Sequence, residues 1–316
     1  MLKNHPTRAL LIGFGLGVAA QAQEDPRALM LHARALQQRG EGTDSVSAAS
    51  LYRKVIALEP RSAEAHLRLS EALAESGDLE GALAPALKAT ELNPRSGEAW
   101  VHLGLLQAQR AQTQPLARSE TRRAFEEASR LLPADPEVWY RLAQVSQILG
   151  DQEGALKAWM ALGRLHPTGW IAERPLEAMA WENAAVLAGN LDRYELRREA
   201  IMALAEQPAP SQRHLRMLED LAREQADKGY LGHAEESFLM LGQHFPKESA
   251  IWENVSHIQM QTGRFEEALQ SFRQAGALKP SARFTYFQGI CLMNLGSLQE
   301  AEQLWRNLAA LESSDD

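Results

Sequence analysis

A single cysteine, Cys291, stands in 316 residues, which excludes an internal disulfide and a cysteine-built metal cluster. Aromatic residues are only 6% of the chain and runs of β-branched residues are scarce, whereas alanine and leucine abound. That balance favours helix over sheet. Basic residues are outnumbered, 33 Lys and Arg against 41 Asp and Glu, for a net charge of −8. With no basic stripe to displace counterions from phosphates, nucleic acid is not an expected partner.

Long apolar runs are scarce as well. The opening "MLKNHPTRALLIGFGLGVAAQAQEDP" holds one, from Ala9 to Ala20, well short of the roughly 20 residues needed to span hydrocarbon. Lys3 and Arg8 precede it, Ala20-Gln21-Ala22 closes it, and Gly13, Gly15 and Gly17 within it disfavour a buried helix. This is the grammar of a secretory signal peptide over residues 1–22. The chain is therefore expected to be periplasmic or otherwise exported, to begin at Gln23 when mature, and to keep no stable membrane span.

Catalytic groups do not assemble in the sequence. The nine histidines are scattered, with no zinc-binding pair at helical spacing. Cys291 falls mid-helix in an apolar stretch, as an inert buried thiol would. Pairs such as Glu266-Glu267 diverge around a helix and read as solvated faces, and no glycine-rich phosphate loop is present. No enzymatic activity, cofactor or metal is expected.

What the chain does have is repetition. Pro60, Pro94, Pro133, Pro167, Pro208, Pro246 and Pro280 recur at intervals of 34, 39, 34, 41, 38 and 34 residues, the period of a helix-turn-helix repeat. In each unit a first helix places a large residue three and four positions ahead of smaller ones, as in Trp100, Leu103, Gly104 and Trp252, Val255, Ser256. A glycine ends that helix at Gly77, Gly150, Gly229, Gly263 and Gly296. The second helix repeats an apolar trio, such as Ala155, Trp159, Leu162 or Ala268, Phe272, Ala275, and proline closes the unit.

These residues resemble the tetratricopeptide repeat family. The resemblance implies an all-α fold, a right-handed α-solenoid of about eight helix-turn-helix repeats over residues 23–316, each hiding apolar faces against its neighbours. Departures are an expanded turn from Gly40 to Ser45, extra residues from Ala111 to Leu116, and a divergent repeat at about 168–208. The divergent repeat keeps Trp181 and a turn at Gly189-Asn190 but loses the second-helix pattern. The stretch "TGWIAERPLEAMAW" ahead of it reads either as a hinge or docking loop or as an extension with Trp170 packed on a neighbouring unit.

The resemblance also implies a protein or peptide partner on the concave surface made by the first helices. Carried over position by position, the partner-binding residues are Leu67, Glu71, Val101, Leu105, Tyr140 and Gln144, followed by Tyr286 and Ile290. Leu67, Val101, Leu105 and Tyr140 would form an apolar floor with Tyr140 as chief anchor, bordered by Glu64, Glu71, Glu98 and Glu137. The family's carboxylate clamp needs Lys or Arg with Asn, and Leu67 with Glu71 stands in its place, so a chaperone-tail adaptor is not implied. The implied role is a non-catalytic interaction scaffold of the bacterial cell envelope. Its alternative is a chaperone-like or regulatory module holding extended client peptides. A strip of Leu304, Leu308 and Leu311 on the last helix admits self-association through the C-terminal repeat.

Overall fold

The computed structural model describes residues 25–39, 42–112, 114, 117–171 and 174–312; the expected signal segment, 1–22, lies outside them. Among the described residues the chain folds into 16 helices and one very short strand pair. It divides into two compact units at the Leu165–His166 boundary.

The first unit holds four helical hairpins. These pair α1 (Pro26–Arg39) with α2 (Gly42–Leu58), α3 (Ala63–Glu75) with α4 (Leu79–Leu92), α5 (Gly97–Arg110) with α6 (Ala117–Leu131), and α7 (Pro136–Ile148) with α8 (Gln152–Arg164). The second holds a strand pair, β1 (Trp170–Ile171) and β2 (Arg174–Pro175), joined antiparallel with Trp170 opposite Pro175. Four hairpins follow: α9 (Leu176–Asn190) with α10 (Tyr194–Ala205), α11 (Gln212–Asp227) with α12 (Leu231–His244), α13 (Ser249–Gln261) with α14 (Phe265–Leu278), and α15 (Ala282–Asn294) with α16 (Leu298–Glu312).

Local chemistry starts and stops these helices. Ser62 and Ser96 accept hydrogen bonds from the backbone N–H groups of Ala65 and Ala99, and Asp78 and Asp151 do the same for Gly81 and Gly154. Each such cap contributes about 0.5–2 kcal/mol. Between the two helices of a hairpin, Gly77, Gly150, Gly229, Gly263 and Gly296 all adopt positive φ, from 74° to 88°, where a Cβ would be strained. Trp100, Trp139 and Trp252 each donate the ring N–H to the carbonyl of the proline six residues earlier, at 3.0, 2.8 and 3.4 Å. His66 stands at the same place and its Nε2 lies 3.1 Å from the Pro60 carbonyl.

Packing follows the expected small-large pattern. A Cβ on Gly104 would lie 2.9 Å from the Phe125 ring, so only glycine lets α5 and α6 approach this closely. The apolar trios Ala155, Trp159, Leu162 and Ala268, Phe272, Ala275 are buried throughout. Polar pairs recur inside the second unit. The Ser237 hydroxyl donates to Gln225 Oε1 and the Ser271 hydroxyl to Gln259 Oε1, both at 2.8 Å. The Gln225 amide then donates to the Tyr194 hydroxyl at 3.2 Å, and the Gln259 amide to Glu235 at 2.9 Å. Buried amides satisfied in this way tie successive hairpins together.

Several local expectations are corrected. The expanded turn shrinks, because α2 already begins at Gly42; residues 40 and 41 lie outside the described set. In the divergent repeat, α9 runs through Gly189 and Asn190, and the positive-φ residue is Asp192 (φ 54°). Asp tolerates that conformation better than most non-glycine residues. The second helix forms there despite its altered pattern and buries Ala200, Ile201 and Leu204. Trp170 is 70% exposed, not packed. Leu304 and Leu308 are half-buried, and the Leu311 side chain lies outside the described set.

Candidate partner-binding face

In the first unit the leading helices α1 and α3 frame an open cleft of about 590 Å³, lined by Arg34, Gln37, Gln38, Arg68, Glu71 and Glu75. Its side chains are held in place from behind. The Tyr52 hydroxyl donates to Gln37 Oε1 at 3.1 Å, the Gln37 amide donates to Glu75 at 2.8 Å, and the Ser45 hydroxyl reaches the other Glu75 oxygen at 3.3 Å. Burial of Tyr52 pushes its phenol pKa above the ordinary value.

Ion pairs cross from hairpin to hairpin. Arg34 of α1 pairs with Glu64 of α3. Arg68 of α3 pairs with Glu71 on its own helix at 2.7 Å and with Glu98 of α5 at 3.0 Å. Burial raises the pKa of Glu71 above the usual carboxylate range although Arg68 opposes it. The ladder stops at α5. There His102 lies 2.8 Å from the Ser70 hydroxyl instead, and burial lowers its pKa. On α7, Arg141 pairs with Glu137 at 2.7 Å. The expected acidic border is thus largely neutralised by arginines one helix away or one turn on.

The expected site residues separate into two groups. Leu67 is 4% exposed and packs with Ala89 and Ala99, because α3 and α5 close over it. Tyr140 is 8% exposed. Its ring meets Trp159 edge-on at 5.9 Å and its hydroxyl accepts from the Gln144 amide at 2.7 Å. Both residues are packing elements beneath the face rather than exposed floor. Val101 is half-buried and Leu105 is 40% exposed on α5; Glu71 and Gln144 line clefts.

The second unit contributes Tyr286, 51% exposed, and Ile290, half-buried, on α15. Nearby, Arg283 pairs with Glu253 of α13 at 2.9 Å. His257 sits edge-on to Phe272 and Phe287, and burial lowers its pKa against the pull of Glu253. A tight cluster also joins α9 to α11. Glu182 takes Arg174 from the strand pair and lies 2.8 Å from His214 Nε2. Its pKa falls below the usual carboxylate range because these hydrogen bonds outweigh its burial.

Among the described residues no group of three or more His, Cys, Asp or Glu side chains could hold a metal ion. No helix among them is long and apolar enough to cross a membrane.

Sequence reasoning missed the Arg–Glu ladder. The signal was present, since Arg34 and Arg68, like Glu64 and Glu98, are separated by the repeat length of 34 residues.

Residues 43–103 match one tetratricopeptide repeat family model and residues 256–315 match another. The chain carries tetratricopeptide repeats. The repeats in these two segments support, in general terms, a protein–protein interaction scaffold. Similar solved structures include MamA, at 19% identity and a TM-score of 0.45, covering 63% of this chain and 94% of that one. The Naa15/Naa10 assembly bound to HypK-THB matches at 16% identity and a TM-score of 0.47, covering 90% and 42%. YrrB, described as a TPR protein with an unusual peptide-binding site, matches at 19% identity and a TM-score of 0.32, covering 75% and 96%. Among curated proteins, none matches.

Proposed function

We propose that this chain is an exported, non-catalytic scaffold of the bacterial cell envelope that binds a protein or peptide partner along its first helices. The observation that carries the reading is the α1–α3 cleft. It is open, about 590 Å³ in volume, and its Arg, Gln and Glu side chains are fixed by a hydrogen-bond chain before any partner arrives. Preorganised polar groups of both signs suit an extended segment, whose backbone amides and charged side chains they can meet at little ordering cost. Glu71, Val101, Leu105 and Gln144 in the first unit, and Tyr286 and Ile290 in the second, are the contact residues of this reading. The half-exposed Tyr286 belongs to one of the side-chain types enriched at interface hot spots. Export rests on the N-terminal sequence over residues 1–22.

The test combines location and binding. Peptide mapping of the protein from an envelope fraction should recover Gln23 as its first residue; intact Met1–Ala22 there would refute cleavage. Affinity purification with residues 23–316 should return one partner at fixed stoichiometry. Arg34→Glu with Arg68→Glu should lower its affinity in calorimetry. Unchanged affinity would place the partner elsewhere.

A further inference from the structure

A second cleft, of about 240 Å³, opens between α5, α6 and α7. Its wall is carbon-rich. Phe125 and Val145, 1% and 7% exposed, form the base, Ala108 one side, and Ile148, 62% exposed, the lip. The volume lies below the roughly 300–1,000 Å³ of pockets that engulf small-molecule ligands, and suits a single side chain. The rim is polar, with Gln144, Arg141 and Arg118.

The rim also carries charge that the cleft does not balance. Arg141 is matched by Glu137 at 2.7 Å and lies over the Tyr140 ring at 5.7 Å. Arg118 makes no ion pair with a carboxylate among the described residues. Glu120, the nearest acid along α6, is two positions away and therefore points to a different side of the helix. Elsewhere in the unit, Arg34, Arg68 and Arg122 each have a carboxylate partner. An apolar recess beside an unmatched guanidinium calls for an apolar group next to a carboxylate.

We propose that this cleft is a subsite for one apolar side chain of a partner segment whose neighbouring residue is Asp or Glu. The proposal rests on the scaffold reading and adds the sequence chemistry of the partner. The apolar side chain enters between Ala108 and Ile148, and the adjoining carboxylate meets Arg118.

The test uses residues 23–316 and methyl NMR of Ile148 and Val145, which report on the cleft itself. Three end-capped ten-residue peptides on one Gly-Ser background serve as probes, with Leu-Glu, Leu-Lys or Ser-Glu at the centre. The Leu-Glu peptide should give saturable shifts at both methyl groups. Its affinity should be roughly three- to fivefold above that for Leu-Lys, the size expected of one partly exposed ion pair, and above that for Ser-Glu. Arg118→Glu should reverse the charge preference while the remaining methyl spectrum stays in place, and Arg118→Gln should abolish it. Absence of saturable shifts, a preference for Leu-Lys in the unaltered chain, or a preference indifferent to Arg118→Glu would overturn the proposal. So would equal binding of Ser-Glu, or shifts that depend on protein concentration without peptide, which would assign the cleft to a second copy of the chain. A captured partner sensitive to Arg34 and Arg68 but not to Arg118 would leave the scaffold reading standing and remove this subsite.

Discussion

Replacing Tyr140 by alanine discriminates a packing role from a contact role. The ring is 8% exposed, edge-on to Trp159 at 5.9 Å, with its hydroxyl accepting from Gln144 at 2.7 Å. Removing a buried aromatic side chain costs about 3–5 kcal/mol in lost transfer energy and cavity formation, a figure that already includes much of the ~0.5–1.5 kcal/mol of an edge-to-face ring pair. Tyr140→Phe removes only the hydrogen bond, worth about 0.5–1.5 kcal/mol. The lower end applies because half-exposed Gln144 can turn to water. Since the chain has two compact units, a single unfolding midpoint would mix their transitions. Hydrogen exchange resolved to α7 and α8, alongside urea unfolding, isolates the effect. Protection in those helices should fall by most of the alanine penalty and barely change with phenylalanine. An alanine variant with native protection in α7 and α8 would refute the packing argument and return Tyr140 to the ligand face.

Two glycines should respond to alanine with opposite signs. At Gly289 the new Cβ would lie 2.2 Å from Trp305 Nε1 and displace the indole from its 3.2 Å bond to the Tyr286 carbonyl. Overpacking of about 1–3 kcal/mol and a lost bond of about 1 kcal/mol outweigh a helix-propensity gain of about 1 kcal/mol. The net loss is about 1–3 kcal/mol. At Gly232 no heavy atom lies within 4 Å, so alanine should stabilise by about 0.5–1 kcal/mol; equal signs in urea melts would contradict the geometry. Burial holds His257 below its ordinary pKa. The unfolded chain therefore protonates first as pH falls through about 6.5. Stability declines from there until the folded form also protonates; His257→Phe should reduce the fall in melting temperature between about pH 7.5 and 5.5, with buried His102 supplying part of what remains. Cys291 is fully buried, with its thiol pushed up to about 11 by burial. Iodoacetamide at neutral pH should label it only in denaturant, as read by mass spectrometry.

Much of the fold was legible because repetition amplifies weak signals. Gly77, Gly150, Gly229, Gly263 and Gly296 each take the positive φ that their place between helices implied, and the Ala-aromatic-apolar trios are core. Legibility failed where one residue type substitutes for another by a shared atom or dihedral. Asp192 replaces a turn glycine because it tolerates the left-handed region, and His66 replaces tryptophan because its ring nitrogen also reaches the proline carbonyl. The face was harder to read. Whether Leu67 or Leu105 is exposed depends on how closely α3 and α5 approach, a distance set by side chains on other helices. The acidic border likewise dissolved because arginines neutralise it, Glu64 and Glu98 from an adjacent hairpin and Glu71 and Glu137 from their own helix.

The buried Gln–Ser pairs have a consequence for how the chain can be cut and rejoined. Gln225 and Gln259 are 34 residues apart, as are Ser237 and Ser271, so each glutamine sees its serine twelve positions on. Excising residues 226–259 would splice Gln225 directly to Met260, and Ser271 would inherit the role of Ser237. The joined helix would still offer its amide to the Tyr194 hydroxyl, as Gln225 does now. No polar atom of the pair would be orphaned at the junction. The Gln–Ser pair is therefore one interior contact that survives when a repeat is lost or gained here, whereas the packing of Tyr194 on Tyr230 and His233 is not carried across the junction.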